Sequence, residues 1–148
     1  MEVKRIKRWR QAFRIGGERQ RYINMYEEMM KLTDKLNKSI DAIVVEGRRD
    51  LITLRRMGIS KEIITAHEIK HRDLRGKRIA VLTDFDSHGE KLNKEISKFI
   101  ESAGGKVKQV YREMFCGIAL KRGVRQIESM RKTLRESELM VFNSGCWK

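Results

Sequence analysis

The residues best suited to chemistry fall in two short acidic stretches, Glu46-Gly47-Arg48-Arg49-Asp50 and Asp84-Phe85-Asp86-Ser87-His88-Gly89. Clustered carboxylates repel one another unless a cation neutralises them. Hard oxygen donors of this kind suit magnesium or manganese, so a divalent ion is the expected cofactor. Asp84 and Asp86 are two apart, and in extended backbone they project to the same side. Either motif alone is a weak signal: a D-x-D arises often by chance, and an aspartate before a helix is often only its cap. The pair gains weight because each motif follows an apolar run and precedes a helical pattern.

Those flanking elements must position the carboxylates. Residues 42–45, Ala-Ile-Val-Val, form a continuous, mostly β-branched run that reads as a buried parallel strand. A helix is expected from Arg49 to Met57, stopped by Gly58. Residues 62–66 read as a weaker strand and 73–77 as a turn. The run 79–83 is the clearest strand and leads into the second acidic motif. A helix over 89–102 ends at Gly104-Gly105; 106–111 reads as a strand, 117–136 as a helix and 139–142 as a last strand. Strands alternating with helices predict an α/β fold, a mostly parallel sheet covered by helices. In such sheets ligands bind beyond the carboxyl ends of the strands. Glu46 follows the first strand, and Asp84 and Asp86 follow the third, so three carboxylates are directed to one rim. Gly47 is expected to permit a close backbone approach there, and a helix N-terminus beside the metal attracts phosphate.

Ahead of the sheet lies a basic N-terminal helical extension, residues 1–38, with the remaining 39–148 forming the main domain. Ile6, Trp9 and Phe13 recur at helical spacing, Gly16-Gly17 interrupts, and Tyr22, Tyr26, Met29, Met30, Thr33 and Leu36 mark a second helix. Arg8, Arg10 and Arg14 belong to its early basic cluster, which suits either a solvated face or an arm that tracks phosphates. The 148 residues carry a net charge of +14 and a pI near 10.1, with 40% hydrophobic residues. A core is therefore affordable, and the charge points to a polyanionic partner: nucleic acid before an anionic membrane. No apolar run approaches the ~20 residues that span a bilayer, and the basic start lacks the apolar stretch of a signal peptide. A cytoplasmic protein is expected, with Cys116 and Cys146 as free thiols. His67 and His71 have H-x-x-x-H spacing but no evident third ligand, which argues against zinc.

The run Val44-Val45-Glu46-Gly47-Arg48-Arg49-Asp50, followed by Leu82-Thr83-Asp84-Phe85-Asp86-Ser87-His88-Gly89-Glu90-Lys91, resembles the Toprim domain. The resemblance covers roughly residues 41–142. Thr83 to Lys91 is most similar to the ribonuclease that matures bacterial 5S ribosomal RNA, and the size resembles the small stand-alone Toprim proteins of archaea. The resemblance implies that Glu46 acts as general acid/base or metal ligand and that Asp84 and Asp86 coordinate magnesium. It places Asp50 in support of Glu46 or of a second metal. No topoisomerase nucleophile domain or primase zinc domain accompanies the motifs. The expected function is metal-dependent, ribonuclease-like phosphodiester hydrolysis on structured RNA, with Arg48, Arg49, His88 and Lys91 at the phosphates. RNA is favoured over DNA only through the similarity to the maturase. The alternative is a non-catalytic RNA- or DNA-binding module that joins protein partners in a processing complex. An enzyme on a small phosphorylated metabolite fits the acidic rim but leaves the charge without a purpose.

Overall fold

The computed structural model describes residues 18–121, 123–130, 132, 135, 136 and 139. The expected first helix around Trp9 lies outside them, as do residues 140–142 of the strand expected over 139–142; Leu139, which is described, is helical. Helix α1, Glu18–Ser39, carries Met25, Met29, Leu32 and Leu36 at alternating spacings of four and three, and all four are buried. That stripe lays the helix on the sheet rather than projecting it into solvent.

Strand β1, Ala42–Val45, is followed by helix α2, Arg48–Met57, and strand β2, Glu62–Thr65. Gly58 closes α2 at φ 104°, a left-handed conformation that favours glycine. Strand β3, Arg78–Leu82, leads to helix α3, Ser87–Ser102, then to the short strand β4, Lys106–Val107, and helix α4, Gln109–Leu120. All pairings are parallel, and the strand order is β2-β1-β3-β4. This is the α/β sheet covered by helices that the alternation of elements predicts.

Both sheet faces are dry, which is why β1 and β3 read as unbroken apolar runs. Ile43, Val45, Ala80 and Leu82 pack with α1, with Leu54 of α2 and with Phe115 of α4. Val44, Ile79 and Val81 pack the other face with Ile96 and Ile100 of α3 and Ile69 of a 3-10 turn at Ala66–His71. No described helix is long and apolar enough to cross a membrane.

Two expectations need correction. The strand expected over 106–111 stops at Val107, where its pairing with β3 ends. Tyr111, Met114, Phe115 and Ile118 instead fall at helical spacing, and burying that stripe against α1 and the sheet overrides strand propensity. The helix expected over 117–136 is interrupted: α4 begins earlier and stops at Leu120, the chain turns through Gly123 at φ 69°, and helical residues return at Met130, Lys132, Arg135 and Glu136. Val124, Ile127 and Met130 are buried as the chain folds back toward β3.

Candidate functional site

The strand order reverses between β1 and β3: the chain moves from β1 outward to β2, then returns to place β3 on the other side. That crevice is where open parallel sheets bind ligands. Val45 pairs with Leu82 at the carboxyl ends of these strands, so the residues that follow emerge side by side. The Asp84 amide donates to Glu46 Oε1 at 3.1 Å, bringing the two motifs into direct contact.

Each remaining motif carboxylate also takes a backbone amide. Asp84 Oδ1 accepts from Ile127 N at 2.9 Å, and Asp50 Oδ2 accepts from Gly47 N at 3.3 Å. Asp86 Oδ1 accepts from Gly89 N at 2.7 Å and caps α3. The expectation of a functional aspartate and that of a mere cap thus meet in one residue. Glu128, which sequence reasoning missed, joins the group because the chain after Gly123 crosses above the loop; Phe85 N donates to Arg125 O at 2.6 Å there.

The crowding has an electrostatic cost. The Asp50 carboxyl, ordinarily near 3.8, is pushed up to about 6 by burial first and by the Asp84 charge next. Glu46 and Glu128 add to this, while the Gly47 amide pulls the other way. Asp84 is also raised, by burial first and then, against the Ile127 amide, by Glu46, Asp86 and Glu128. Among the described residues, no three His, Cys, Asp or Glu side chains enclose a metal position as they stand. The donors still fit a hard divalent cation by their chemistry: several carboxylate oxygens in one place, with Asp50 and Asp84 raised first by burial and then by the neighbouring carboxylates.

Between pH 3.8 and about 6 the folded chain holds an Asp50 proton that the unfolded chain releases, so stability falls as pH rises through that window. Asp50→Asn keeps an oxygen for the Gly47 amide. In chelator at about pH 8 it is expected to stabilise the protein by about 1–3 kcal/mol, and at about pH 4 to be close to neutral. Urea unfolding at both values checks this, and equal effects at the two would sink it.

A buried cation holds the second motif. Arg112, 4% exposed, donates to the carbonyl oxygens of Thr83 and of Asp84 (2.9 Å for the latter) and to Glu90 Oε1 at 2.6 Å. Its guanidinium carbon lies 5.0 Å from the centre of the Phe85 ring. Sequence reasoning missed Arg112 as well. The available signal was a cation in the same helical stripe as Phe115 and Ala119, once that segment is read as a helix. The Thr83 hydroxyl donates to Gly89 O at 2.7 Å, tying the loop to α3.

Gly89 has a steric reason to be glycine: an added Cβ would lie 1.8 Å from the Asp84 carbonyl oxygen. Gly47 does not. Its φ is −151° and a Cβ there meets nothing within 4 Å, so the close approach expected at this position is absent. Arg48, Arg49, His88 and Lys91 are exposed around the rim, and Arg49 Nη1 lies 3.7 Å from Glu128 Oε1. Arg8, Arg10 and Arg14 lie outside the described residues. His67 bonds locally through Nδ1 to Thr65 Oγ1 at 3.2 Å.

The comparisons with known proteins agree with this geometry. The Toprim domain family matches residues 41–114. A UPF0292 protein of Pyrococcus abyssi is 33% identical over 114 residues, covering 74% of this chain and 86% of that one. A UPF0292 protein of Thermococcus onnurineus is 31% identical over 114 residues, covering 74% and 85%. The solved structure of a putative protein from Aquifex aeolicus is similar with a TM-score of 0.55 and 26% identity, covering 69% of this chain and 94% of that one.

Proposed function

The chain belongs to the UPF0292 family and carries a Toprim domain, and from that premise we propose that it is a metal-dependent protein that cleaves phosphodiesters in structured RNA. Toprim domains are nucleic-acid-related and bind divalent metal ions. The observation that carries the proposal is the carboxylate cluster at the crevice between β1 and β3, where Asp50 is raised to about 6.

In this reading Asp84 and Asp86 are the principal ligands, with Asp50 supporting Glu46 or holding a second ion. A bound magnesium or manganese supplies Lewis-acid polarisation of the phosphodiester and a more acidic water. Glu46, at the strand end beside Asp84, holds or moves the proton of the attacking water. Arg48, Arg49, His88 and Lys91 orient the phosphates, and the basic extension over residues 1–38, with Arg8, Arg10 and Arg14, lengthens the track. The choice of RNA rests on the similarity of Thr83 to Lys91 to the 5S ribosomal RNA maturase. The +14 charge suits any polyanion.

The test is cleavage of labelled RNAs and DNAs with magnesium or manganese, comparing wild type with Glu46→Gln and with Asp84→Asn/Asp86→Asn. We expect cutting that requires metal and falls by about a hundredfold or more in both variants. A second reading is favoured by one observation: Asp84, Asp86, Asp50 and Glu46 each already accept a backbone amide. In that reading the chain is a binding module within a nucleic-acid-processing complex. Tight, salt-sensitive binding without cleavage, unchanged in the variants, would establish it and overturn the nuclease.

A further inference from the structure

A cleft of about 680 Å³ opens between α1 and α2. That is within the range of small-ligand sites, roughly 300–1,000 Å³. Tyr26 and Met30 of α1 and Met57 of α2 form an apolar wall. Arg56 and Lys132, both exposed, stand at the mouth. Thr33 also lines the cleft and is 5% exposed. Among the described residues its hydroxyl is the buried side-chain polar atom left without a hydrogen-bond partner. A buried hydroxyl with no partner is costly, and a ligand group that bonds it removes the cost.

The cleft adjoins the acidic crevice. Thr53 and Met57, which line it, follow Asp50 on α2 at helical spacings of three and seven. Glu128 lines it too, and the same side chain bears on Asp50 and Asp84. An apolar wall with an aromatic ring, an unfilled hydroxyl and a cationic mouth together match a planar base joined to a phosphate. A bare phosphate leaves the wall and the hydroxyl unused.

We infer that this cleft holds one unstacked nucleotide of the bound strand, its base against Tyr26, Met30 and Met57 and its phosphate at Arg56 and Lys132. Thr33 meets the edge of the base. Single-stranded RNA is commonly read through splayed bases held on aromatic and apolar side chains. The inference rests on the nucleic-acid reading for its partner, but the binding itself needs neither metal nor cleavage.

The test titrates the full chain, without divalent metal, with AMP, GMP, CMP, UMP, ribose 5-phosphate and inorganic phosphate, followed by NMR of methionine and threonine methyl groups. Expected is binding of at least one nucleotide more tightly than either base-free phosphate, with shifts at Met30, Met57 and Thr33. Arg56→Glu/Lys132→Glu is expected to weaken it about tenfold or more, since charge-assisted contacts are lost. Thr33→Val removes no existing bond, so the fold is kept, and binding is expected to weaken about threefold. Lys94→Glu/Lys98→Glu, two exposed changes on the helix covering the opposite face, leaves it unaltered and controls for the same change of net charge. Inorganic phosphate binding as well as the nucleotides, shifts confined to other residues, or full affinity in both cleft variants would overturn the inference. Failure of the nuclease reading registers separately, as absent cleavage in the metal-dependent assay.

Discussion

Gly89→Ala is expected to collapse the acidic loop, lowering stability by about 3–5 kcal/mol and the melting temperature by about 10 °C or more. The new methyl would lie 1.8 Å from the Asp84 carbonyl oxygen and 2.5 Å from its carbonyl carbon. Both are backbone atoms, so no side-chain rotation relieves the clash. The loop has little freedom to retreat. Gly89 N donates to Asp86, Gly89 O accepts from Thr83, and Arg112 holds the carbonyls of Thr83 and Asp84. Moving the helix away breaks the cap; moving the loop away breaks the Arg112 contacts. Gly47→Ala is the matched control, because a Cβ there meets nothing within 4 Å. Its cost is expected to stay below about 1 kcal/mol, chiefly from a poorer helix start. Calorimetry on the two variants decides it, and similar melting temperatures would show that the Asp84 backbone yields easily.

Arg112→Met is the second large effect, an expected loss of about 3–5 kcal/mol. The substitution fills much of the volume but strands two carbonyl oxygens in a buried place and leaves Phe85 without its cation. Arg112→Lys is expected to recover only part of this. One compact ammonium cannot span both carbonyls and Glu90 as a planar fork does. Glu90→Gln is the mild member of the set, because that partner is 55% exposed at the surface end of the pair. Urea unfolding gives the order expected: wild type, Glu90→Gln, Arg112→Lys, Arg112→Met. Divalent-metal affinity, measured by calorimetric titration, is expected to fall about tenfold or more in Arg112→Met, since the guanidinium sets the backbone from which Asp84 and Asp86 project. Unchanged metal affinity in a folded Arg112→Met protein would show that the loop keeps its shape without the clamp.

Several elements were legible from local chemistry. The β-branched run at Ala42–Val45 and the apolar run over residues 79–82 are buried on both faces, and continuous hydrophobicity is the local signature of such strands. Helix α2 ends at Gly58 because a left-handed turn favours glycine, and that signal belongs to one residue. The carboxylates were legible by type and by their position after strands. The segment from Lys106 to Ser129 was not. Val107, Val110 and Tyr111 suit a strand or a helix equally, and the choice depended on whether Phe115 and Ile118 had a partner to bury against.

What the chain determined by itself was the inventory: two acidic motifs, the strands before them, the helices after them and a large positive charge. Strand order belonged to the tertiary structure. Putting β3 beside β1 makes Glu46 and Asp84 neighbours across 38 residues of chain. The turn at Gly123 brings Glu128 over the acidic loop, and burial of α4 carries Arg112 beneath it. Periodicity and turn residues act within a few positions, whereas strand order and the meeting of distant side chains depend on covering both faces of one sheet at once.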